Sequence, residues 1–159
     1  MWQNSCVEKA TMTATMDSGP GAAAVHILLD GEIFFPAGLL GFPNCRRFSL
    51  SRFEPGDGNK SPFFILNSID QELSFVVIQP DFVATDYAVP LLPELLASLG
   101  AQSKSELVPL LIVTVRERVE DITVNLQGPL LVSAPSRIGM QLVLEEFPLR
   151  HPIVAAPNL

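Results

Sequence analysis

The stretch Pro62-Phe63-Phe64-Ile65-Leu66-Asn67-Ser68-Ile69-Asp70-Gln71-Glu72-Leu73-Ser74-Phe75-Val76-Val77-Ile78-Gln79-Pro80 decides how this chain reads. Two runs rich in β-branched and aromatic residues, 62–69 and 73–79, flank the polar Asp70-Gln71-Glu72, a strand–turn–strand pattern. Successive side chains of a strand alternate faces, yet Phe63, Phe64, Ile65 and Leu66 are all apolar. Both faces of that strand therefore need cover, in a closed barrel or in a sheet packed on two sides.

Upstream, Val25 to Leu29 and Glu32 to Phe35 flank Asp30-Gly31, a dipeptide suited to a tight hairpin. Gly38-Leu39-Leu40-Gly41-Phe42-Pro43 reads as an apolar loop whose large side chains turn to the core. Arg47 to Phe53 alternates Phe48 and Leu50 with Ser49 and Ser51, a half-buried strand, and 54–60 is a turn-rich loop. Downstream, Pro93 to Gly100 is the best helix. Pro93 suits its first turn, Glu94 the N-terminal dipole, and Gly100 the position just past its end. Ser103 and Glu106 have capping-box spacing for a further short turn. Strands are expected at 110–115, 122–126, 130–133 and 140–144. The fold class is mainly β: a single-domain antiparallel β-barrel or strongly curved sheet with one or two short helices. Residues 1–24 lack sustained periodicity and read as a flexible tail, 25–154 as the domain, and 155–159 as a C-terminal tail.

Of 159 residues, 17% are charged, below the ~25% of a typical domain, so some apolar surface is expected to stay exposed for a protein partner. The net charge of −7 disfavours direct nucleic-acid binding, which needs clustered Lys and Arg. Between Ser61 and Ser103 stand Asp70, Glu72, Asp81, Asp86 and Glu94 without a Lys or Arg, a window suited either to attracting a basic partner or to keeping the protein soluble. Cys6 and Cys45 have no motif spacing, and no secretory signal is visible, so a cytoplasmic setting is expected. The apolar run Leu107 to Val115 is interrupted by Pro109 and is far short of the ~20 residues that span a bilayer. The chain is expected to stay off membranes.

Little here points to catalysis. His26 and His151 are the two histidines, and no nucleophile elbow or phosphate loop is present. Glu145 and Glu146 are neighbours that would face opposite ways on a strand. No Cys or His pair has ligand spacing, so neither metal nor cofactor is expected. The alternative to a binding protein is a small β-barrel ligand-binding protein or enzyme with a pocket near Arg150 and His151. Asn125, between Val124 and Leu126, is expected to fix a loop backbone if buried, or to read a partner's backbone if exposed. The candidate partner-contact residues are Asp70, Glu72, Asp81, Asp86, Tyr87, Asn125 and Arg150.

The 62–80 stretch resembles the FliW family of flagellar assembly factors. So do Gly38-Leu39-Leu40-Gly41-Phe42, Leu111-Ile112-Val113-Thr114-Val115, Thr123-Val124-Asn125-Leu126-Gln127-Gly128-Pro129, Arg137 to Leu144, and Leu149-Arg150-His151-Pro152-Ile153. Their order carries the resemblance across residues 25–153. Asn67 stands where Gln is usual, Val124 and Gly128 replace Ala, and Ser133 lies near a usual Asn. The resemblance implies a monomeric partner switch. Such proteins bind CsrA, a translational repressor of flagellin mRNA, and are sequestered by cytoplasmic flagellin, which frees CsrA.

Overall fold

The structure, a computed structural model, describes residues 25–29, 31–54, 56, 61–83 and 86–153. The two expected tails, Cys6, Asp30 and most of the 54–60 loop lie outside them. Among the described residues nine strands form one antiparallel system: β1 (Glu32–Phe34), β2 (Arg47–Arg52), β3 (Phe63–Ser68), β4 (Ser74–Ile78), β5 (Leu107–Thr114), β6 (Thr123–Val124), β7 (Leu130–Ser133), β8 (Gly139–Gln141) and β9 (His151–Pro152). The order is β1-β2-β3-β4-β5, after which the sheet forks. The first half of β5 pairs with β7 and through it β8; its end pairs with β6 and through it β9.

The two-sided apolar character of β3 is explained by this fork. Phe64 and Leu66 face the main core with Phe35, Phe48, Leu50, Val77, Val108, Leu110 and Leu130. Phe63, on the other face, joins Ile78, Leu111, Val113, Val124 and Ile153 in a second core. A third cluster sets Leu99 against Leu107 and Leu131. A strand buried on both faces thus serves two cores at once.

The sheet curves strongly but does not close as a barrel. Its ends meet at one parallel bridge between Phe34 and Ile138, where Phe34 N–H donates to the Arg137 carbonyl at 2.8 Å. Arg137 itself fastens this seam. Its guanidinium donates to the carbonyls of Leu28, at 3.3 Å, and Ile27. Those carbonyls end a helical turn, α1 (Val25–Leu28), so a cation sits at a helix C-terminus. The strand and hairpin expected over 25–35 are corrected here. Val25 and Leu28 are the buried pair, a helical i, i+3 spacing, whereas a strand would bury alternate residues. Strand β1 pairs instead with β2. A Cβ at Gly31 would run into the Arg137 guanidinium, so any side chain there would have to displace it.

Helix α2 (Pro93–Leu99) forms as read, ending at Gly100 with φ of 70°, a left-handed conformation that glycine adopts without strain. The capping box does not form: Ser103 makes no cap bond, and Glu106 Oε1 accepts from Gln102 N–H at 2.8 Å. Strand β5 starts three residues earlier than the sequence suggests, because Pro109 is tolerated inside it. Ala134 N–H donates to the Glu106 carbonyl, which makes Leu107–Ser133 and then Pro109–Leu131 non-hydrogen-bonded pairs with β7. The missing N–H of Pro109 therefore costs that ladder nothing.

Replacing Arg137 by Ala removes the fastening of α1 and is expected to lower stability by about 1–3 kcal/mol. Gly31→Ala should lower it as well, by displacing the same guanidinium. Urea unfolding of both variants checks this. Wild-type midpoints would show that the seam does not depend on Arg137.

Candidate functional site

The five acids of the Lys/Arg-free window do not form one surface. Asp70 and Glu72 sit in the β3–β4 turn, whereas Asp81 and Asp86 follow the other end of β4. Five residues of strand, about 17 Å at strand rise, separate the two ends. Glu94 stands in the first turn of α2.

Asp70 is committed within the fold. Its carboxylate accepts from the backbone N–H of Arg46 and Arg47, each at 3.0 Å, and pairs with the Arg47 guanidinium at 3.0 Å. These bonds, the Arg47 backbone first, hold its pKa below the ordinary 3.8. Its charge thus ties the β3–β4 turn to the start of β2 and is balanced there. Glu72 is exposed at the same turn.

Tyr87 and Asn125 come together. Tyr87 Oη–H donates to the Leu126 carbonyl at 2.7 Å, and its ring meets Phe147 edge-on at 4.7 Å between centroids. Burial first, and the nearby Glu146 second, push the phenol pKa well upward. Asn125, half-buried, accepts at Oδ1 from Gln127 and Gly128 N–H, both at 2.9 Å, so its carbonyl shapes the 125–128 loop. Gln141 joins that loop to the Gly38–Phe42 loop: Nε2 donates to the Gly128 carbonyl at 2.9 Å and Oε1 accepts from Leu40 N–H at 2.8 Å. Leu40 is 60% exposed and Phe42 38%. Of that loop's large side chains Leu39 alone is buried, which corrects the expectation that they all turn inward.

Beside Tyr87 the sheet opens. Extending the β4–β5 register from Ile78–Leu111 by two residues sets Pro80 opposite Pro109. This would be the next hydrogen-bonded pair, and neither residue has an N–H to give. The ladder stops, the chain turns into the 3₁₀ helix Pro80–Phe82, and a cleft of about 180 Å³ opens between Pro80, Asp81, Tyr87, Leu91, Pro109 and Leu131. Asp86 is exposed on the same segment.

Arg150 is exposed and His151 half-buried, paired with Val124 through β9, a strand not anticipated from sequence. Neither lines the Tyr87 cleft, nor the hollows beside His26 and at the β3–β4 turn. Among the described residues no group of three His, Cys, Asp or Glu side chains is placed to hold a metal ion, and no helix is long and apolar enough to cross a membrane. Arg137, Gln141 and the proline pair were not singled out in sequence. Both prolines are visible there, but only the register sets them opposite each other.

The geometry describes a curved sheet carrying loop-built surfaces, a class of protein that presents surface for contact. Residues 22–153 match the family model described as FliW protein. The "Flagellar assembly factor FliW" of Natranaerobius thermophilus is 34% identical over 140 residues, covering 86% of this chain and 90% of that one. That of Treponema denticola is 34% identical over 124 residues, covering 76% and 81%. The solved "Crystal structure of the flagellar assembly factor FliW" superposes with a TM-score of 0.66 at 28% identity, covering 76% of this chain and 82% of that one. This chain belongs to the FliW family.

Two substitutions check the roles assigned to site residues. Tyr87→Phe loses the bond to Leu126 and should cost about 0.5–1.5 kcal/mol in urea unfolding; an unchanged midpoint would make that bond idle. Asp70→Asn should be less stable than wild type near neutrality. A carboxylate whose folded pKa is depressed stabilises above its unfolded value and loses that contribution as pH falls through the folded one. The gap should therefore close as pH drops below 3.8. A gap independent of pH would assign the loss to something other than charge.

Proposed function

We propose that this protein is a non-enzymatic, cytoplasmic flagellar assembly factor that works as a partner switch. It binds a CsrA-type translational repressor and relieves repression of flagellin mRNA, and accumulated flagellin captures it and releases the repressor. Membership of the FliW family is the observation that carries this reading. The surface supports it: an acidic chain of net charge −7 suits a basic partner. The exposed Leu40 and Phe42 suit an apolar helical one.

The split of the acidic window refines where the basic partner would dock. Asp70 is balanced by Arg47. Asp81 and Asp86, both exposed beyond the end of β4, carry the proposed docking charge, and Tyr87 and Asn125 hold the neighbouring 125–128 loop. Glu72 and Arg150, both exposed, remain available as outlying contacts.

Calorimetry with the purified repressor should show binding that weakens as salt rises. Reversing Asp81 and Asp86 to Lys should weaken it about tenfold or more in protein that still unfolds cooperatively. Binding that ignores both salt and the charge reversal would remove this docking surface. Failure of both repressor and flagellin to bind would remove the function.

A further inference from the structure

Two loops of different chemistry are tied together by one half-buried side chain, Gln141. On one side lies the Gly38–Phe42 loop, which exposes Leu40 and Phe42. On the other lies the 125–128 loop, whose Leu126 carbonyl anchors Tyr87, the neighbour of exposed Asp86. Among the described residues no other side chain hydrogen-bonds to both loops. The Gln141 amide is used at both ends, its oxygen on Leu40 N–H at 2.8 Å and its nitrogen on the Gly128 carbonyl at 2.9 Å. Turned over, it would set N–H against N–H and oxygen against oxygen, so one orientation alone serves both loops. Oxygen and nitrogen belong to one rigid group, and a loop that pulls on the first moves the second.

The far end of this link is closely fitted. A Cβ on Gly128 would lie 2.8 Å from Gln141 Nε2 and 3.1 Å from Asn125 Nδ2. Asn125 Oδ1 in turn accepts from Gln127 and Gly128 N–H, on either side of the same peptide unit. At the near end, Leu39 and Phe42 exchange backbone hydrogen bonds, which makes the loop a compact turn with Leu40 inside it. We propose that Gln141 couples the two partner surfaces. A partner that grips Leu40 and Phe42 draws Leu40 N–H off the Gln141 oxygen, the amide lets go of Gly128, and the surface around Tyr87 and Asp86 loosens. The inference rests on the reading of this protein as a partner switch, and adds how filling one surface weakens the other without the two overlapping. The coupling is reciprocal, as linkage requires.

A partner-free measurement tests the link. Phe42→Ala removes the ring that meets Phe75 edge-on and loosens the turn, and hydrogen exchange of the Gln127 and Gly128 amides reports on the other loop. In otherwise wild-type protein their exchange should quicken roughly three- to tenfold, the weight of about one hydrogen bond. With Gln141→Leu already present, Phe42→Ala should add nothing. Gln141→Glu should behave the same way, because it keeps an acceptor for Leu40 N–H but sets a carboxylate oxygen against the Gly128 carbonyl. No response in wild type, or a response that survives either substitution, would overturn the link. Repressor affinity with and without saturating flagellin then tests its role. Flagellin should weaken repressor binding about fivefold or more in wild type. Gln141→Glu should start with the weakened affinity and lose little more when flagellin is added. Wild-type competition in that variant would mean overlapping surfaces and would overturn the coupling. If neither partner binds, the proposed function falls, and the exchange measurement still decides whether the loops are linked.

Discussion

Strand β5 must satisfy two different neighbours on one edge and a third on the other, and the rest of the molecule is arranged around that demand. Its first half faces β7 and its end faces β6, while β4 reaches only Leu111 to Val113 on the opposite edge. Eight residues of apolar strand therefore serve three cores. The sheet can fork without exposing backbone because Pro109 sits where no donor is required of it toward β7. Toward β4 the same residue, facing Pro80, forbids the ladder from continuing. One proline thus both permits the strand and ends its partner.

Stability and surface are divided along these lines. The main core lies beneath the faces of β2, β3 and β4, where burial is nearly complete for Phe48, Leu50 and Leu66. The polar groups that matter are those bridging loops with no ladder of their own: Arg137 at the seam, Gln141 between two loops, Asn125 and Tyr87 across the 125–128 turn. Each satisfies backbone groups that a closed barrel would have paired automatically. This is the cost of an open, forked sheet, and it leaves shaped loops rather than a sealed cavity at the surface.

Much of this fold can be read from sequence because its strongest signals are local. The alternation around Phe48 and Leu50, the apolar runs flanking Asp70, and the Pro93 to Gly100 helix depend only on neighbours in the chain. The segments that misled depend on distant residues. Val25 to Leu28 reads as a strand because its helical turn is held by Arg137, more than a hundred residues away. Strand β9 is two residues long and exists only against β6. The candidate site was legible in residue type but not in grouping. The acids were visible, yet Asp70 turned out to be spent on Arg47, and the cleft beside Asp81 follows from a register that no window of sequence contains.

The proposed partner switch has one small protein exchange two partners. The most direct measurement starts from the preformed complex with the CsrA-type repressor and adds flagellin while the released repressor is followed by fluorescence anisotropy. The proposed switch predicts stoichiometric release, with flagellin taking the protein from the repressor. Retention of the repressor in the presence of excess, binding-competent flagellin would contradict it.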